Sequence, residues 1–157
     1  MAAHWLVKQE PASYPFAELV ADRKTCWDGV RNYQARNNLR DMKRGDLVLY
    51  YHSNEGKEVV GIAEIVGEGY PDPTADDPQW VVVDIVPIVP FTQPVTLKEI
   101  KADPKLPDIK LVTRGRLSVV PLTSQEFRHV AKRGKTKVPP LSESRANEGV
   151  KKKAANH

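Results

Sequence analysis

The sequence predicts an α+β domain of short, mostly antiparallel strands with short helices between them. Three observations predict it. Apolar, β-branched runs at residues 47–53, 58–66 and 79–86 have the length of buried strands. The first two are joined by Asn54-Glu55-Gly56-Lys57, a turn by composition, so 47–66 reads as an antiparallel hairpin. Thr96 and Glu99, and again Thr123 and Glu126, place a hydroxyl three residues ahead of a carboxylate, the capping-box pattern that opens a helix. A small barrel with helices at its ends and a strongly curved open sheet both fit these pieces. Pattern alone does not choose between them.

The remaining elements follow in order. Residues 4–8 (His-Trp-Leu-Val-Lys) read as a first strand, ended before Pro11. Ser13 and Pro15 mark the start of a short helix with Phe16, Leu19 and Val20 on its apolar side. Asn32 reads as the N-cap of a helix over 33–43, with Tyr33, Ala35, Leu39 and Met42 as its apolar stripe. Arg44-Gly45-Asp46 then turns the chain. Gly61, inside a strand, predicts a bulge or a close backbone approach. Residues 70–78 are a loop rich in Pro and Asp. Pro87, Pro90 and Pro94 are expected to break the chain into extended segments. Helices are expected over 97–102 and 124–132, the second closed by Gly134. Residues 103–112 read as loop and 117–120 as a last short strand.

A length of 157 residues fits one domain and a tail, here 1–134 and 135–157. The tail is rich in Lys, Pro, Ser, Ala and Asn without periodicity and is expected to be disordered. The net charge of +4 misleads unless it is divided. Residues 131–157 hold eight Lys or Arg against Glu143 and Glu148, leaving residues 1–130 with 16 basic and 18 acidic groups. The high pI therefore belongs to the tail. Within the domain, residues 23–44 carry seven Lys or Arg against Asp28 and Asp41, a local patch of the right sign for phosphate. Lone Cys26 excludes an internal disulfide framework and a cysteine-rich zinc site. No apolar run approaches a membrane span, and the N-terminus lacks the regions of a signal peptide. The expected location is the cytoplasm for a bacterial source, with a nucleus possible for a eukaryotic one.

The chemistry concentrates in Thr25-Cys26-Trp27-Asp28-Gly29-Val30-Arg31-Asn32-Tyr33-Gln34-Ala35-Arg36-Asn37. Trp27 offers a flat face for stacking, or a core anchor. Asn32 carries donors and acceptors that can read a base edge, or cap a helix. Arg31 and Arg36 offer forked donors suited to phosphate, or to carboxylate partners. Interleaved aromatic, amide and guanidinium groups are what nucleic-acid recognition needs.

Trp5-Leu6-Val7-Lys8-Gln9-Glu10-Pro11, the 25–37 stretch, Tyr51-His52-Ser53, Tyr70-Pro71-Asp72 and Arg116-Leu117-Ser118-Val119 together closely resemble the EVE domain family, in the family's order and over residues 4 to about 130. The resemblance implies a PUA-like fold, a small β-barrel with surrounding helices. It also implies a reader of modified bases in nucleic acid, with modified cytosine such as 5-methylcytosine in DNA the leading candidate and RNA the alternative. Such a reader holds a flipped base in an aromatic and polar pocket. The implied pocket residues are Lys8, Trp27, Arg31, Asn32, Arg36, His52, Ser53, Tyr70, Asp72, Arg116 and Ser118. His52 and Ser53 are adjacent on a strand, so both reach one pocket only through a twist or bulge. A monomer without cofactor, metal or membrane is expected.

Two other functions compete. His52, Ser53 and Asp28 or Asp72 supply the residue types of a hydrolytic triad. Their spacing matches no known arrangement, and the sequence has neither a Gly-x-Ser-x-Gly elbow nor a phosphate-binding glycine loop. Catalysis is therefore not expected. A pocket of this kind can also hold a small nucleoside-like ligand, and the basic 23–44 patch favours a polymer instead.

Overall fold

Alternating side chains in the central strands give one sheet two apolar faces, and each face acquires its own layer of helices. The computed structural model describes residues 3–27, 32–53, 56–115 and 117–138. The elements run β1 (His4–Gln9), α1 (Phe16–Asp22), β2 (Thr25–Trp27), α2 (Tyr33–Asp41), β3 (Leu47–His52), β4 (Glu58–Pro71), β5 (Val81–Thr96), α3 (Leu97–Ala102), α4 (Lys110–Thr113), β6 (Val119–Leu122) and α5 (Ser124–Arg133). The six strands form a single sheet in the order β2-β5-β4-β3-β1-β6. β1 and β3 pair in parallel; every other ladder is antiparallel. The α+β class with mostly antiparallel strands and short helices is as expected. The barrel is not: among the described residues no ladder joins β2 to β6, and the sheet stays open.

Period two decides which side chain serves which face. Trp5, Val7, Val48, Tyr50 and Val119 lie on one face and pack with Phe16 and Leu19 of α1 and with Ala35 and Leu39 of α2. Leu6, Leu47, Leu49, Tyr51 and Val120 lie on the other, under Ile100, Leu111, Phe127 and Val130 of α3, α4 and α5. Buried Asp46 ties the start of β1 to the turn before β3. Its carboxylate accepts from Trp5 Nε1 at 2.9 Å and from the amides of Ala3 at 3.0 Å and Lys43 at 2.8 Å.

Several elements differ from expectation for identifiable reasons. β2 is three residues long, too short for its own pattern to declare it, and exists through its pairing with β5. β5 runs unbroken through Pro87, Pro90 and Pro94. β2 covers only the segment from Val83 to Ile85, so the prolines fall where, among the described residues, the far edge of β5 meets no strand and needs no amide donor. β4 continues to Pro71, taking Tyr70 and Pro71 out of the expected loop. The four-residue α4 lies within the expected 103–112 loop and beyond it, and β6 ends two residues later than expected. Val20 is 48% exposed rather than on the apolar side of α1, whose N-cap is Pro15, one of the two residues expected to mark its start.

Both glycine readings gain a physical cause. At Gly61 the ladder shifts register, and a Cβ there would lie 2.5 Å from the Phe16 ring. Gly61 thus borders a bulge and is the floor on which α1 rests. Gly134 does cap α5, but its φ of −79° needs no glycine. A Cβ there would meet the Phe91 ring at 2.4 Å, so packing excludes a side chain. Both capping boxes form as expected, at Thr96/Glu99 and Thr123/Glu126. Beyond Gly134, Thr136 Oγ1 accepts from the Thr92 amide and Val138 packs against the α5 face. The rest of the expected tail lies outside the described residues.

Candidate functional site

β2 delivers Trp27 into the core. Its ring is buried and meets Tyr50 edge-on at 5.6 Å. Residues 28–31, with Arg31 among them, lie outside the described residues. The chain resumes at Asn32, which caps α2 as expected: its Oδ1 accepts from the Ala35 amide at 2.9 Å. With that oxygen engaged, the Nδ2 donors are what Asn32 offers a ligand.

Arg36 follows one turn later. Its Nη1 donates to Gln79 Oε1 at 2.7 Å and its Nη2 to Asn37 Oδ1 at 2.8 Å. The guanidinium also lies 5.0 Å from the Tyr33 ring centre and 5.7 Å from that of Trp80. Tyr33 is 60% exposed and does not belong to the apolar stripe expected of it. Ala35, Asn38 and Leu39 form the buried face of α2, and Tyr33 is out of phase with them.

His52 and Ser53 part company. The register shift after Tyr50 places the extra residue, Val60, in β4, so β3 keeps its alternation. His52 stays on the α1 face, where its ring meets Tyr50 at 5.9 Å and its Nε2 accepts from the Phe16 amide at 3.1 Å. Burial lowers its pKa, against a smaller raising influence from Glu58. That nitrogen is occupied by backbone and is not a base aimed at Ser53.

Ser53 lines a cavity of about 260 Å³ on the opposite face, with Lys8, Tyr51, Lys57, Lys101 and Gly115 around it. Lys8 Nζ donates to the Gly115 carbonyl at 2.8 Å, and burial lowers its pKa. The Lys8 amide donates to the Ser118 carbonyl, and the Ser53 amide to the Gln9 carbonyl. The end of β1 therefore gathers Lys8, Ser53 and Ser118. Arg116 belongs to the same stretch but lies outside the described residues.

Tyr70 and Asp72 are apart from both groups. Tyr70 donates to Asp84 Oδ1 at 2.7 Å, and this bond together with an interaction with Cys26 raises its pKa. Cys26 pairs opposite Asp84, so the Tyr70 side is the reverse of the face that takes Trp27. Buried Asp72 accepts from the Thr74 amide and hydroxyl at 2.7 and 2.6 Å, which folds the loop before β5. The residues expected in one pocket are thus distributed over both faces of the sheet, because neighbours along a strand point oppositely. Sequence reasoning missed the pairing of exposed Tyr33 with half-buried Trp80, whose rings lie 5.1 Å apart. The spacing of Tyr33 from Arg36, one helical turn, was the available signal.

The model of the EVE domain matches residues 3–133. Human thymocyte nuclear protein 1 is 37% identical over 161 residues, spanning 81% of this chain and 72% of that protein. A crystal structure of a protein from Agrobacterium tumefaciens is 47% identical, with a TM-score of 0.86, covering 89% of this chain and 98% of that one. A crystal structure of human THYN1 protein in complex with 5-methylcytosine-containing DNA is 34% identical, with a TM-score of 0.79, covering 87% of this chain and all of that one.

Proposed function

The chain belongs to the EVE domain family, and on that premise we propose that it is a non-catalytic reader of nucleic acid that holds a modified base, foremost a modified cytosine of DNA. The observation that carries the reading is the similar THYN1 protein, crystallised with 5-methylcytosine-containing DNA on a fold that matches 87% of this chain. The local chemistry supports it. Asn32 presents Nδ2 donors while its oxygen caps α2, which suits the acceptor atoms O2 and N3 of cytosine. Trp27 provides the apolar wall behind the base. Where the cell has a nucleus, that is where such a reader works; in a bacterium it is the cytoplasm.

The test is an oligonucleotide panel read by fluorescence anisotropy. It holds single and double strands of DNA and RNA, with and without methylated cytosine and adenine. Expected is tighter binding to DNA carrying modified cytosine, with affinity falling as salt rises. Equal, weak binding throughout overturns the reader. Selectivity confined to RNA overturns the assignment to DNA.

A further inference from the structure

Tyr33, Trp80 and Arg36 form a surface feature that neither the fold nor the proposed base pocket requires. Trp80 precedes β5, and Tyr33 opens α2. Their rings are 33° from parallel at 5.1 Å. Arg36 reaches both rings, held in place by neutral partners: the amide oxygens of Gln79 and Asn37. Nearby Arg40 donates to the Gln79 carbonyl at 2.9 Å, also a neutral acceptor. Among the described residues, the carboxylate tied into this group is Asp77, which accepts from Gln79 through both its oxygens.

These bonds already fasten the loop before β5 onto α2. Arg36 and Arg40 both hold Gln79, and the Asp72 amide donates to the Trp80 carbonyl. The Tyr33 ring adds little to that fastening, yet it remains 60% exposed. An exposed aromatic ring backed by a second ring, with two guanidinium groups alongside, offers a stacking surface and a positive field together. That combination suits a nucleobase and its phosphates better than an apolar peptide, which would leave both guanidinium charges without a counter-charge.

We propose that Tyr33, backed by Trp80, is a stacking platform for an unpaired nucleobase flanking the one that is read, with Arg36 and Arg40 placed for its phosphates. The platform rests on the nucleic-acid reading above and adds a second contact point to it. It accepts any base, because every base has a π-face. Asn32 lies next to Tyr33 in the chain, so a strand engaged at Asn32 brings its neighbouring nucleotide to the platform.

The experiment compares wild type with Tyr33→Ala and Tyr33→Trp on a fluorescent single-stranded ten-nucleotide DNA. The oligonucleotide is made with one 5-methylcytosine or with cytosine in its place. Tyr33→Ala is expected to weaken binding of both about 5- to 100-fold. The preference between them should be unchanged, and Tyr33→Trp should retain affinity. Circular dichroism of Tyr33→Ala should match wild type, since the ring is exposed. Wild-type affinity in Tyr33→Ala overturns the platform even where the preference for 5-methylcytosine stands. A loss in Tyr33→Ala without any such preference in wild type supports the platform and overturns the modified-base reading. No binding by wild type to either strand overturns both.

Discussion

The imidazole of His52, at the end of β3, caps the start of α1 packed over it: its Nε2 accepts from the Phe16 amide at 3.1 Å. The acceptor role requires that nitrogen to be unprotonated, and burial favours the same neutral state. The folded-state pKa therefore lies below the ordinary 6.5. The unfolded chain binds the proton first as pH falls, so stability is full above about pH 6.5 and declines below it. His52→Asn is expected to flatten the stability profile below about pH 6.5. His4, whose pKa is also lowered by burial, retains its own share of the slope. Urea denaturation across that range measures the difference; parallel curves for variant and wild type would refute the assignment.

Trp27→Ala should unfold the protein more readily rather than merely blunt its binding. The ring is buried against Tyr50, and deleting such a ring costs about 3–5 kcal/mol. Trp27→Phe keeps most of the packing and is the variant with which to measure binding. A Trp27→Ala protein as stable as wild type would show that the ring is not part of the core.

Gly61→Ala should destabilise by about 1–3 kcal/mol, because its Cβ would overlap the Phe16 ring. The cause is checkable by a double-mutant cycle with Phe16→Ala. In that background the Gly61→Ala penalty should shrink sharply, giving a coupling energy between the two sites. Additive penalties would locate the strain in the bulge instead.

Acid should loosen the α3–α5 contact. Burial alone would raise the Asp103 pKa, but the Lys105 amide, His129 and Arg133 outweigh it and hold the carboxyl below its ordinary range. His129 Nε2 lies 2.6 Å and Arg133 Nη1 3.1 Å from Asp103 Oδ2. With a depressed folded pKa, this stabilisation is present above about pH 4 and is lost as pH falls through the lowered value. Asp103→Asn should cost on the order of 2 kcal/mol at neutral pH and reduce the slope of the acid limb. An unchanged acid limb would remove Asp103 from that account.

Local chemistry made part of this molecule legible in its sequence. The capping boxes of α3 and α5 and the Asn32 cap of α2 depend on residues within one turn, and each was readable. The β3–β4 hairpin was readable because both strands are dense in β-branched residues with a turn between them. β2 was not, since three residues become a strand only by pairing with β5. Nor was the run of β5 through its prolines, which depends on where β2 stops. In the site, residue types were legible and directions were not. Whether Ser53 shares a face with His52 depends on which strand of the hairpin takes the extra residue. The extra residue is Val60 of β4, so the two side chains diverge.

The open sheet has a consequence for how the protein behaves when crowded. An uncovered strand margin is a template for another chain, and long flat margins seed fibres. Here the two outermost strands are β2, three residues long, and β6, four residues long with Pro121 in the middle. Each exposes too few backbone donors and acceptors to nucleate an intermolecular ladder, and the margin of β5 that β2 leaves uncovered is interrupted by Pro87, Pro90 and Pro94. The domain thereby gains without closing a barrel the resistance to strand-on-strand aggregation that a closed barrel secures by having no margin.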